Sequence, residues 1–387
     1  MIQIPYGCQD ITQEDITAVE AVLRSDWLTQ GPATGKFEGL VTEYCGARFG
    51  VAVNSATSAL HLACLALDLG PGDEMWTSPN TFVASANAAL YCGAQIDFVD
   101  IDPRTYNMST SSLADRLEKA RDKGKLPKIV MPVHFAGQSC DMRAIGALAK
   151  EYGFSVVEDA SHAIGGRYLK ERVGSCEYSS IAVFSFHPVK IITTGEGGMA
   201  VTNDPELAER MRLLRSHGTT RDPRRMQGPP HGAWYYQQID LGFNYRMTDI
   251  HAALGASQMQ RIDDYVQARH AVAKRYDEQL ADLPLILPWQ GPDAYSAYHL
   301  YPVRIDSLKT KQTREKIFAH MRSHRIGVNV HYIPVHTQPY YKALGFEGKS
   351  FPVAERYYAE ALSLPLFPRL DEDRQGTVIG VLREALA

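Results

Sequence analysis

From Phe49 onward the chain alternates short β-branched, apolar runs with stretches whose apolar residues recur at helical spacing. VAVN precedes TSALHLACLAL, MWTS precedes FVASANAALY, IDFVD precedes SLADRLEKA, KIVMPV precedes MRAIGALAKEY, and FSVVEDA follows. IAVFSF and GMAVT read as two more strands, and helical patterns start at Asp204 and Thr248. This rhythm predicts an α/β fold whose mostly parallel sheet is flanked by helices on both faces. Ahead of it, Thr12 and Asp15 have the spacing of a capping box, and Ile16, Val19 and Leu23 then share one helical face, so a first helix is expected there. Near residue 265 the pattern changes to a long amphipathic stretch, the strand HLYPVRI, a helix near 311 to 323, the strand GVNVHYI and terminal helices. The expected organisation is a large domain over residues 1–264, with an N-terminal arm and helix, and a smaller α+β domain over residues 265–387.

Composition narrows the function more than the fold. The 387 residues are 45% hydrophobic and 22% charged, as expected for a chain that folds around a large core. Forty Lys and Arg against forty-four Asp and Glu leave a formal charge of -4, with no basic surplus to track a phosphate backbone, so nucleic-acid binding is not expected. The opening MIQIPYGCQD lacks a basic then apolar leader, and no stretch approaches the ~18 apolar residues of a membrane span. A cytoplasmic protein is the expectation. Cys8, Cys45, Cys64, Cys92, Cys140 and Cys176 are scattered singly and read as reduced thiols, mostly in the core. No metal is expected at the site, and His331 and His336, either side of YIPV, do not read as a ligand pair. The longest turn-rich interruption is TTRDPRRMQGPPHG, between Gly218 and Gly232, which reads equally as a functional flap or as mobile padding.

Two glycine patterns imitate nucleotide sites and fail. GPATGKF is one residue short between its glycines for a Walker loop and lacks the hydroxyl that holds magnesium. GEGGMA leads into the strand-like MAVT where a dinucleotide fold needs a helix. Three other features converge. In VAVNSATSALHLACLAL, a strand, a turn of small residues and a helix present amides near Ala56 and Thr57 that suit a phosphate, or Thr57 or Ser58 is a plain cap. FSVVEDASHAIGG puts Glu158 and Asp159 at the C-terminal end of a strand, where open α/β sheets bind ligands, although Asp159 reads equally as a helix cap. IAVFSFHPVKIITTGEGG delivers Ser185, His187 and Lys190 to the same edge, with Val189, Ile191 and Ile192 beside the lysine to desolvate it. A phosphate turn, an acid and a desolvated lysine at one sheet edge are the parts that hold pyridoxal 5'-phosphate: Lys190 as the Schiff-base amine, Asp159 at the pyridine nitrogen, the turn at the phosphate.

The blocks WLTQGPAT, NSATSALHLA, SPNTFVASANAALYCGA, VVEDASHAIGG, SFHPVKIITTGEGGMAVT and LGFNYRMTDIHAALG span nearly the whole chain. In this order the chain resembles the fold type I, pyridoxal-phosphate-dependent aminotransferases of nucleotide sugars, the DegT and StrS family. The resemblance implies that Lys190 is the catalytic base and acid, that Asp159 partners the pyridine nitrogen, and that Phe82 stacks on the ring. It also implies phosphate contacts from Ala56, Thr57 and Ser185, and places His162 near the phenolic oxygen of the cofactor. Asn244 matches an asparagine that reaches the neighbouring subunit's cofactor, which implies a homodimer with shared sites. Tyr6, Thr29, Gln30, His187, His331 and Tyr332 fall in blocks that line the sugar side, and Arg221, Arg224 and Arg225 are candidates for a diphosphate. HGTTRDP, WYYQQIDLGFNYRMTDI and GVNVHYIPVHTQPYYKALGF look most like the branch acting in pseudaminic acid synthesis. That branch moves an amino group from L-glutamate to C4 of a UDP-linked 4-keto-6-deoxy-N-acetylhexosamine. The alternatives are another nucleotide-linked keto-sugar, of perosamine or bacillosamine type, and a non-catalytic sugar sensor that kept the cofactor pocket.

Overall fold

The structure, a computed structural model, describes residues 3–387. Seven strands form the main sheet: β1 (Phe49–Val53), β2 (Glu74–Thr77), β3 (Gln95–Phe98), β4 (Ile129–Met131), β5 (Ser155–Asp159), β6 (Ile181–Ser185) and β7 (Gly198–Thr202). Their order across the sheet is β1-β7-β6-β5-β4-β2-β3. β3, β2, β4, β5 and β6 are mutually parallel, while β7 runs antiparallel to both β6 and β1. Two reversals bring β1 back into the direction of β6, so the C-terminal ends of β1, β2, β4, β5 and β6 share one edge. Both faces are covered, which is why β4, β6 and β7 are buried along their whole length and read as unbroken apolar runs.

The helices are α1 (Gln13–Leu23), α2 (Pro32–Cys45), α3 (Ala56–Ala66), α4 (Val83–Tyr91), α5 (Thr110–Asp122), α6 (Met142–Tyr152), α7 (Pro205–Arg215), α8 (Asp249–Met259) and α9 (Ile262–Gln279). Their starts follow local chemistry. Thr12 and Asp15 close the expected capping box on α1, and Ser55, Asp204 and Thr248 cap α3, α7 and α8 with their side chains. GPATGKF, the Walker imitation, is the start of α2, whose Gly31 and Thr34 amides donate to the buried carboxylate of Asp249. Its N-terminus is already occupied by an anion.

The C-terminal part holds a three-stranded antiparallel sheet, β8 (Leu285–Ile286), β9 (Tyr301–Ile305) and β10 (Ala361–Leu364), in the order β8-β9-β10. With it pack α10 (Arg314–Ser323), α11 (Pro352–Glu360) and α12 (Glu372–Leu386).

One expected strand does not form, and two further features go beyond what the apolar pattern states. The apolar face of α1 does not enter the core: Ile16 is 51% and Leu23 56% exposed, and the helix docks through buried Asp15, which accepts from Gln258 and Arg261. GVNVHYI is not a strand. It forms a single isolated bridge, Asn329 with Ser363, and Ile326 just ahead of it bridges Ile4. Finally, residue 264 lies inside α9, and Val335, Tyr341, Phe346, Phe351 and Tyr357 pack into the same core as Phe98, Tyr106 and Phe135 of the large sheet. The C-terminal part is therefore interleaved with the large sheet's core, and in return Ile4 of the arm joins the small core.

Candidate active site

Five strand ends deliver the site. After β1, Ser55 turns into α3, and its hydroxyl accepts from the Ser58 amide. The Ala56 and Thr57 amides, which no preceding helical carbonyl can reach, line the adjoining cavity. Gly198 lies between Val53 and Ser185 in register, directly beneath this turn, and a Cβ there would run into the Ala56 nitrogen. The close approach of α3 to the sheet thus depends on a residue without a side chain. The cradle fits a phosphate: free amides at the positive end of an eleven-residue helix, with Ser185 beside them.

β5 ends on Asp159, which is 5% exposed. Its carboxylate accepts from Ser85 Oγ at 2.6 Å and from the Ser161 amide at 3.1 Å, so it is held in one orientation. Thr81 Oγ1, 2.7 Å from Ser85 Oγ, extends the chain. Neighbouring Glu158 points to the opposite face, where it pairs with His134 at 2.6 Å and accepts from Ser179. Of the two adjacent acids only Asp159 serves the cavity, as the period-two alternation of a strand requires.

β6 leads through Ser185 and His187 to Lys190. Burial depresses the Lys190 ammonium to about 8, and the negative charge of Asp159 opposes that shift. Around it stand neutral histidines: burial first, then the lysine charge, lowers His162, His299 and His331, the last to about 3. His162 accepts from the Ala136 amide on Nδ1 at 3.3 Å and is 3.0 Å from Tyr332 Oη through Nε2. Its Nε2–H therefore donates to Tyr332, whose own proton is left to point elsewhere, and burial raises the tyrosine so that it keeps that proton. The group that this corner can offer to an oxygen is the Tyr332 hydroxyl, with His162 behind it.

The cavity so enclosed measures about 530 Å3 and is lined by Tyr6, Ala56, Thr57, Phe82, Asp159, His162, Ser185, His187, Lys190, His331 and Tyr332 among others. These expected residues come together from distant parts of the chain. Thr29, Gln30 and Asn244 do not line it: all three are exposed, with Thr29 bridged to Thr248 and Asn244 to Ser216. The arginine candidates are also elsewhere. Arg224 is paired with Asp222 at 2.6 Å and Arg225 with Glu209 at 2.9 Å, and Arg221 does not line the cavity. Ser85, Ser161, His299 and Asn329 belong to the lining and were not singled out from the sequence. His331 and His336 are engaged separately, with Ser363 and Glu355.

A desolvated lysine, a fixed carboxylate and a phosphate cradle around one cavity of a sheet with this topology define a fold type I, pyridoxal-phosphate-dependent aminotransferase. The profile of the DegT/DnrJ/EryC1/StrS aminotransferase family matches residues 9–383, and the chain belongs to that family. It is 40% identical over 384 residues to the spore coat polysaccharide biosynthesis protein SpsC of Bacillus subtilis, covering 98% of this chain and 96% of that one. Among solved structures it is similar to Helicobacter pylori PseC, an aminotransferase involved in the biosynthesis of pseudaminic acid, with a TM-score of 0.89, 30% identity and 99% of both chains covered. It is equally similar to Spr1654 of Streptococcus pneumoniae, described as a sugar aminotransferase and solved in a PMP form (TM-score 0.89, 29% identity, 99% of both chains) and a PLP form. The protein is thus a sugar aminotransferase that works with pyridoxal phosphate.

Proposed function

We propose that the enzyme moves the amino group of L-glutamate to C4 of a UDP-linked 4-keto-6-deoxy-N-acetylhexosamine, giving UDP-4-amino-4,6-dideoxy-N-acetyl-β-L-altrosamine for pseudaminic acid synthesis. The observation that carries the reading is the likeness to PseC over the full length of both chains. The cavity supports a sugar: with Lys190 it is lined by Tyr6, His187, Asn329, His331 and Tyr332, uncharged donors and acceptors suited to hydroxyl and acetamido groups. When bound, pyridoxal phosphate supplies the carbonyl and the electron sink for both half-reactions. The chain's own residues do the rest. Lys190, neutral in an appreciable fraction near pH 8, carries the proton to and from the substrate carbon. Asp159, oriented by Ser85 and Ser161, would hold a proton on the pyridine nitrogen, Phe82 would cover the ring, and Ala56, Thr57 and Ser185 would hold the phosphate. Donor and acceptor enter the same cavity in turn, so the kinetics are ping-pong.

Among the described residues that line the cavity, Lys190 is the only fixed cation and no guanidinium is present. The carboxylates of glutamate and the diphosphate of the sugar need positive partners. Their absence from the lining of one subunit's cavity supports a homodimer in which the neighbouring subunit supplies them, with Thr29, Gln30 and Asn244, which lie outside their own cavity, as neutral contacts to the neighbour's site. No helix of the described residues is long and apolar enough to cross a membrane. Six unpaired cysteines support a cytoplasmic location.

NMR of the product formed from the UDP-4-keto sugar and glutamate tests the reading, with a new amine at C4 and the L-altro configuration of the ring expected. A product of other configuration removes the altrosamine product, no product removes this substrate, and either leaves the aminotransferase assignment standing. The higher identity to SpsC favours, as a second reading, a keto-sugar bound for a different polysaccharide. Parallel turnover of UDP, dTDP and GDP keto-sugars separates the two.

A further inference from the structure

The C-terminal part carries a cluster that transamination does not use. His320 sits in the last turn of α10 and His324 one turn on, at the residue that ends the helix, so both rings project from one side. Their centroids are 4.4 Å apart. From α12, Glu384 brings Oε2 to 3.7 Å from His320 Nε2. Each of the three side chains can place one donor atom within 4.8 Å of the other two.

Two details distinguish this group from an ordinary surface ion pair. His320 Nε2 is shut off from solvent yet has no hydrogen-bond partner, a state that in a folded protein calls for an explanation such as a bound ion. His324 donates its Nδ1–H to the His320 carbonyl at 3.0 Å, which fixes the tautomer and leaves the Nε2 lone pair free, the arrangement that metal-binding histidines use. The 3.7 Å separation is too long for a hydrogen bond. It is close to the roughly 3.4 Å between two ligand atoms each about 2.1 Å from a tetrahedral ion.

We propose that His320, His324 and Glu384 bind a divalent transition-metal ion of the zinc class, with water completing the shell, and that the ion clips α10 to α12. Two imidazoles beside one carboxylate select zinc-like ions over magnesium and calcium, which take oxygen shells. None of the three residues lines the cofactor cavity, so the role is structural.

The test titrates the holoenzyme with zinc chloride alone, read by calorimetry and by metal content after gel filtration. About one equivalent per subunit is expected, weakened about tenfold or more in each of His320→Ala, His324→Gln and Glu384→Gln. Zinc should raise the melting temperature of the parent and not of the variants, magnesium should do neither, and transaminase turnover should stay unchanged. His324 and Glu384 are exposed, so their variants fold whatever happens to His320→Ala. Failure of the parent to bind zinc, or equal binding by the parent and the His324→Gln and Glu384→Gln variants, overturns the assignment.

Discussion

Lys190 shows how one side chain is made reactive by its surroundings. With its pKa depressed from 10.5 to about 8, roughly a quarter of its amine is neutral at pH 7.5, about 240-fold more than for a lysine at its ordinary value. The rate at which cofactor-free protein recombines with pyridoxal phosphate, followed by visible absorbance, should therefore climb with pH and level off above about 8. A rate that keeps rising toward pH 10 would show an ordinary lysine and remove the desolvation argument. Lys190, Asp159 and Ser185 were legible in the sequence because each ends or follows an apolar strand, which is a local signal. Ser85 was not. It sits inside a helix three residues past Phe82, and only the fold brings its hydroxyl to Asp159, 74 positions away. The exchange of roles at His162 was equally hidden, since the partner that takes up its Nε2, Tyr332, comes from the far side of the chain.

At the scale of elements, the cavity depends on how near α3 comes to the sheet. Gly198→Ala places a methyl group against the Ser55–Ala56 backbone, where no side chain can give way. The α3 start must then lift from β7 and carry the Ala56 and Thr57 amides with it. Retention of pyridoxal phosphate should fall about tenfold or more, measured by dialysis, while far-ultraviolet circular dichroism stays that of the parent. Unchanged retention would mean that the amides do not hold the phosphate. The strand and helix alternation around this turn was readable because burial on both faces writes itself as apolar runs. The first helix formed as its capping box foretold, whereas GVNVHYI misled because an apolar period states that a face is covered but not by what. On α1, Ile16 and Leu23 stay exposed within the subunit, and GVNVHYI has the alternation of a strand but meets the edge strand β10 only where Asn329 bridges Ser363.

At the scale of the whole molecule, the exposed apolar residues and the absent site residues lie close together in the sequence. Trp27 is 55% and Leu28 48% exposed immediately before Thr29 and Gln30, and Leu241 is 76% exposed three positions before Asn244. Apolar surface of this kind on a folded chain marks an interface. A twofold dimer would bury it and carry Thr29, Gln30 and Asn244 toward the other subunit's cavity. Mixing separates this arrangement from two self-sufficient subunits. Lys190→Ala and Asn244→Ala chains are each expected to be inactive or nearly so. Unfolded together and refolded, they give mixed dimers in which one site carries both substitutions and the other carries neither. With random pairing, half of the dimers are mixed and half of their sites intact, so activity should return to about a quarter of that of the parent. Two chains that each kept a complete site of their own would recover nothing beyond the sum of the two variants, and that outcome would return Asn244 to the role of a turn residue.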